Sequence, residues 1–455
     1  MSKTSPYHRT QAAILVQLLC LVIVFICPML HVNAQVKSPI IHSDGSVTLN
    51  FTIPKADEVV VCGDIPSRGV KLNTGFGSIR FHRDINMKKM NDTLWTYTTA
   101  ALKPDMYLYY YEVDGEEDGD SLDVRNPNVV RDIDKKFNFF IVPGDTANYY
   151  LDTQVPHGRV HKLWHPSSIE LTPNRRMTLY TPPGYEADSI RRYPVLYLLH
   201  GSGGDEDSWQ ECGRVMQILD NMLAKGEIEP MIVVMPNGDV TADAAPGERI
   251  HFEESEPSHT APTQYGLFEA SFMHDVVGYV DAHYRTIADK KYRAIAGLSL
   301  GGFHTLYITA NNPDSFDYIG LFSPQIKPNG NPFAKAGIRI AGSFVSQFRR
   351  IRSSFRDNES EERNSLIDKK RGLNQYDNIE GKMNDLFAFQ PKLYYIAVGK
   401  DDFVQYPVDV FSQELSKKSY NHIYRKTEGG HTWNNWRRYL VDFLPKLFVN
   451  PKQSL

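Results

Sequence analysis

The stretch YRAIAGLSLGGFHTL, Tyr292 to Leu306, limits the architecture of this chain more than any other. An apolar strand-like run gives way to a helical one, with Ser299 at the junction and a glycine two places to either side. This is the strand–serine–helix context of a nucleophile elbow, in which the turn is so tight that neighbouring side chains clash. Gly297 and Gly301 relieve that clash, and the hydroxyl of Ser299 projects from the sheet edge. The Gly-x-Ser-x-Gly pattern alone does not make a nucleophile, so the surroundings of Ser299 have to decide.

From about Val160 onward those surroundings alternate strand with helix. YPVLYLLHG, MIVVMPNG, YRAIAG, YIGLFSP and KLYYIAVG read as buried strands, separated by helical segments such as GRVMQILDNMLAKG and PVDVFSQELSKKS. Continuous apolar strands alternating with helices imply a mostly parallel sheet with helices on both faces. Such sheets carry their sites at the C-terminal ends of strands. An ordinary serine needs a base, and the base an orienting acid, in the chain order Ser, Asp or Glu, His. IAVGKDDF places Asp401 and Asp402 just after a strand, and EGGHTWNNW places His431 in a glycine-flanked loop before the last helix. Ser299, Asp402 and His431 are therefore the candidate catalytic set, spacing from the strand favouring Asp402 over Asp401. The N–H of Leu300, at a helix N-terminus, and the N–H of Ser202, in LLHGSGGDEDSW, are the candidate oxyanion donors. His200 reads as structural and His304 as a packing residue.

Residues from Val36 to Pro143 have a different character, with short runs rich in Val, Thr, Tyr and Phe punctuated by Asp, Gly, Asn and Pro. They predict an all-β, immunoglobulin-like sandwich over residues 35–145, followed by a linker over 146–159 and the α/β part over 160–450. An interruption over 327–384 carries Arg349, Arg350, Arg352 and Arg356, read as a solvated helix rather than as an anion patch or lid. Lys3 and Arg9 ahead of AAILVQLLCLVIVFICPML, with small residues Val32 and Ala34 after it, read as a signal peptide over 1–34 with Gln35 the first mature residue. The expected location is accordingly secreted or periplasmic. The two cysteines beyond that leader, Cys62 and Cys212, give neither a disulfide framework nor zinc-ligand spacing, and no metal or cofactor is called for. A net charge of −4 argues against a general nucleic-acid binder.

The motifs LYTPPGY, YPVLYLLHGSGGDEDSW, MIVVMPNG, AGLSLGG, VGKDDF and GGHTWNNWRRYLVDFLPKLF resemble the esterase D-like α/β-hydrolases, and within them the feruloyl and acetyl-xylan esterases of carbohydrate esterase family one. LWTYTTAALKPDMYLYYYEVDG with DVRNPN resembles a family-48 carbohydrate-binding module. The resemblance implies Ser299 as nucleophile, His431 as base, Asp402 as acid and the Ser202 and Leu300 N–H groups as oxyanion hole. Two departures stand out: Leu300 where the family often has Met, and the long insertion after Gln325. It implies a secreted serine esterase without cofactor that removes ferulate from feruloylated, or acetate from acetylated, xylan. Rival readings are a siderophore trilactone esterase, an acyl transferase to sugar, and a carbohydrate-binding protein with a silent hydrolase fold. Trp209 and Trp433 are candidates to wall the acyl group or stack on sugar, or else are core anchors. Trp95, Tyr97 and the Tyr107–Tyr111 run offer the same choice in the sandwich.

Overall fold

The computed structural model describes residues 36–449 apart from 66–69, 75–76, 82–84, 116–120, 134, 170–171, 241–265 and 327–373. The expected signal peptide and the four arginines of the interruption lie outside the described residues. Among the described residues no helix is long and apolar enough to cross a membrane.

The N-terminal part has two antiparallel sheets face to face, besides a separate hairpin of Val70–Thr74 and Gly77–Phe81. One orders Ile40–Ile41, Val47–Thr52, Leu94–Thr98 and Lys88–Lys89; the other orders Val129–Asp132, Lys135–Val142, Asp105–Val113, Val59–Gly63 and Ile85–Asn86. Val47, Leu49, Phe51 and Trp95 of the first pack on Val59, Val61, Tyr107, Tyr109, Tyr111 and Phe140 of the second. Trp95 and these tyrosines thus fill a core. Strand Asp105–Val113 is buried on both faces, and its alternation explains why. Tyr107, Tyr109 and Tyr111 face the sandwich core, while Met106 and Leu108 face away and join a core shared with the hydrolase part. The connecting residues 146–159 are fastened to that part. Tyr150 is fully buried, the Arg214 guanidinium donates to its carbonyl, and Asp220 accepts from the Gly158 N–H.

The second part is one eight-stranded sheet: β1 (Arg159–Pro166), β2 (Asn174–Thr181), β3 (Val195–Leu199), β4 (Ile232–Pro236), β5 (Arg293–Leu298), β6 (Tyr318–Phe322), β7 (Leu393–Gly399) and β8 (Ile423–Thr427). Their spatial order is β1-β2-β4-β3-β5-β6-β7-β8, with β2 antiparallel to both its neighbours and every other pair parallel. On one face lie α1 (Val215–Ala224) and, at the end of the chain, a helix over Trp433–Phe443. On the other lie α2 (a continuous run from Leu267 to His283 with a π turn at Phe272–Val277), α3 (Leu300–Asn311), α4 (Ile379–Ala388) and α5 (Gln405–Lys417). The closing helix is α6. This is the α/β-hydrolase arrangement. The interruption ends earlier than expected: Ile379, Met383 and Leu386 of α4, spaced along one helical face, are buried in the sheet's own core, so the fold has resumed before residue 384.

Candidate active site

Registers bring the ends of five neighbouring strands together. Leu199 of β3 pairs with Gly297 of β5, Leu298 with Phe322 of β6, and Gly399 of β7 with Thr427 of β8. The loops that follow β3, β5, β7 and β8 therefore open on one edge.

Ser299 sits in the β5–α3 turn at φ 52° and ψ −113°, a strained backbone for a side-chain-bearing residue. It is pinned on both sides: its N–H donates to the Phe322 carbonyl at 2.9 Å, and its own carbonyl accepts from the N–H groups of Phe303 and Gln325. A methyl group at Gly297 would lie 2.3 Å from the Gly301 carbonyl, and one at Gly301 would lie 2.4 Å from the His200 carbonyl. The glycines are there because backbone occupies the space.

His431 Nε2 lies 2.9 Å from Ser299 Oγ, and its Nδ1 lies 3.0 and 3.1 Å from the two carboxylate oxygens of Asp402. An ionised carboxylate only accepts, so Nδ1 carries the proton and Nε2 is free to accept from the serine hydroxyl. The Asp402 side chain is fully buried and also accepts from the Val404 N–H. The acid and base loops are zipped together, the Asp401 N–H donating to the Gly429 carbonyl at 2.9 Å. Asp401 points elsewhere, lining a cleft of about 350 Å³ with Lys103, Lys400 and Arg438. The His431 ring lies edge-on to Trp436 at 4.9 Å and against Phe403 at 4.4 Å.

Leu300 is the first residue of α3, so its N–H has no acceptor within the helix. The loop after β3 runs alongside: a methyl group at Gly201 would come within 3.3 Å of Ser299 Cβ, and Ser202 next to it is exposed. His200 braces that loop, donating from Nδ1 to the Gly201 carbonyl at 2.8 Å and accepting the Gly238 N–H on Nε2 at 2.7 Å. Burial pushes its imidazole below the ordinary value, in keeping with this neutral form. His304 is more than a packing residue, since its Nδ1 bonds the buried Glu269 at 2.8 Å.

Trp209 and Trp433 stand in the core. Trp209 donates to the Leu199 carbonyl, Trp433 donates to Asp132, and their rings meet edge-to-face at 5.4 Å among buried residues. Of the two aromatic rings described beside His431, Trp436 is buried and Phe403 is 43% exposed, and nothing in the sequence distinguished Phe403 from a loop phenylalanine. Equally unannounced was Glu206, buried against Arg176 at 3.1 Å and accepting from Asn237 at 2.8 Å. Burial and the neighbouring Asp205 charge push its carboxyl up to about 7, Arg176 pulling the other way.

The family model described as "Putative esterase" matches residues 168–447. The chain belongs to the esterase family. Over 291 residues the esterase is 30% identical to an endo-1,4-beta-xylanase/feruloyl esterase of Xylanibacter ruminicola, a match covering 63% of this chain and 36% of that protein. It is 24% identical over 252 residues to an acetyl esterase of Caldicellulosiruptor saccharolyticus, covering 54% of this chain and 80% of that one. The esterase thus spans about a third of the length of the Xylanibacter relative. Among solved structures, the enterobactin esterase of Shigella flexneri shares its fold with a TM-score of 0.56 at 14% identity, covering 89% of this chain and 93% of that one.

Proposed function

We propose that this esterase is a serine carboxylic-ester hydrolase that releases ferulate from feruloylated arabinoxylan-type polysaccharide through an acyl-serine intermediate. The observation that carries the reaction type is the hydrogen-bonded chain Ser299–His431–Asp402. Ser299 Oγ attacks the ester carbonyl as His431 Nε2 takes its proton, and Asp402 stabilises the imidazolium that forms. The N–H groups of Ser202 and Leu300 hold the oxyanion. His431 returns the proton to the departing sugar hydroxyl, then activates the water that frees the acid. The substrate class rests on the likeness to the xylanase/feruloyl esterase, and the exposed ring of Phe403 offers an aromatic acid an apolar neighbour. The likeness to an acetyl esterase favours acetylated xylan as the second reading.

The test compares the purified protein with Ser299→Ala on feruloylated arabinoxylan and on acetylated xylan. Ferulate release should fall by about 10⁴-fold or more in the variant. Acetate release alone would move the enzyme to deacetylation. Release of neither acid, with no labelling of Ser299 by a serine-directed phosphonate, would overturn the reading in favour of binding without catalysis.

A further inference from the structure

The hairpin made by Val129–Asp132 and Lys135–Val142 belongs to the sandwich, yet three successive residues, Arg131 to Ile133, contact segments of the other part of the chain that flank the candidate active site. The Arg131 guanidinium bonds Asp205 at 2.6 Å, and its backbone N–H donates to Glu211 at 2.5 Å. Asp132 accepts from Trp433, two residues beyond His431, at 3.0 Å. Ile133 lies against the loop after β3, where a methyl group at Gly203 would be 3.1 Å from its Cγ2. The hairpin thus bridges the loop that carries Ser202 and the helix that follows His431.

Ile133 is unusual in two further respects. Its φ is 55°, a left-handed backbone that a β-branched residue rarely adopts. It is also 38% exposed, an aliphatic side chain left half in solvent. Such a conformation persists only where its surroundings over-determine it, and they do: the same Arg131 guanidinium that holds Asp205 donates to the Ile133 carbonyl at 2.8 Å. A turn that needed only to close the hairpin would be served by glycine or asparagine.

We propose that Ile133 is a specificity-determining residue, an apolar wall supplied by the N-terminal sandwich against which the bulky organic group of the ester packs. The inference rests on the esterase reading given above. It makes the sandwich part of the substrate site, whatever else that unit binds.

The experiment measures kcat/KM of the full chain for methyl ferulate and for 4-nitrophenyl acetate, in the wild type, Ile133→Gly and Ile133→Asn. Both replacements suit the left-handed backbone, so thermal melting should show both variants folded. The ratio of bulky to small ester should fall about tenfold in each, mainly through a higher KM for methyl ferulate. An unchanged ratio, or an equal loss on both esters, overturns the inference while leaving the esterase reading intact. Hydrolysis of neither ester by the wild type, with Ser299 unlabelled by the phosphonate, overturns both.

Discussion

Asp402 offers both carboxylate oxygens to a single imidazole nitrogen, and that defines what its loss should do. In Asp402→Asn the amide N–H₂ can face Nδ1, which then favours the tautomer with its proton on Nε2 and no acceptor for Ser299. We expect kcat to fall about 10³- to 10⁴-fold with KM nearly unchanged, measured by steady-state kinetics on methyl ferulate. Asp401→Asn should leave kcat within about twofold. The three residues of the hydrogen-bonded chain, Ser299, His431 and Asp402, could be picked out because each lies in the loop that follows a strand, a position that sequence can supply. Glu206 was not legible, since its partners Arg176 and Asn237 come from β2 and the loop after β4 and only the sheet order joins them. Its carboxyl, pushed up to about 7, is protonated in the folded protein at pH values where the unfolded chain has already ionised. The stability it confers is full below about pH 4.5 and is lost as pH rises through about 7, by at most about 3 kcal/mol. Glu206→Gln should flatten that part of the melting-temperature profile between pH 5 and 8. A variant profile parallel to wild type would refute the assignment.

At the scale of elements, the β5–α3 turn is the part that cannot be relaxed. Gly301→Ala forces a methyl group to within 2.4 Å of the His200 carbonyl, and His200 is itself fixed between Gly201 and Gly238. We expect a loss of about 3 kcal/mol or more, read by urea denaturation, together with loss of activity. A variant of wild-type stability would mean that the turn is looser than its backbone contacts imply. The same turn was the clearest element in the sequence, because glycines flanking a serine between two apolar runs have few alternative explanations. The interruption was less clear. Its charged stretch concealed the point at which apolar periodicity resumes, and the short α4, with three buried residues in ten, left a weak signal.

At the scale of the molecule, the five-stranded sheet serves two cores, one on each face. Aromatic alternation announced the strands, but residues such as Met106 and Leu108 give no hint in sequence of what their outer face meets. The seam is polar as well as apolar. Arg437, fully buried on α6, donates to Asp105, to the Met106 carbonyl and to the Cys212 carbonyl, while Arg438 bonds the same aspartate. Deleting the sandwich would strand Arg437 without its carboxylate, a change worth about 3–5 kcal/mol before the exposed apolar surface is counted. We expect residues 155–455 alone to be insoluble, and the whole chain to unfold in one calorimetric transition. Two separated transitions would contradict a shared core.

Arg437 and Arg438 sit on the helix that starts just after His431, so the seam is anchored close to the reacting atoms. A sandwich on a flexible tether would only raise the local concentration of a polymer it gripped. This one is fixed to the helix that follows His431, so a chain lying along it would meet Ser299 at a set distance. On the polymeric substrate proposed above, such a fixed arrangement would act as a ruler, selecting esters by their spacing along the chain.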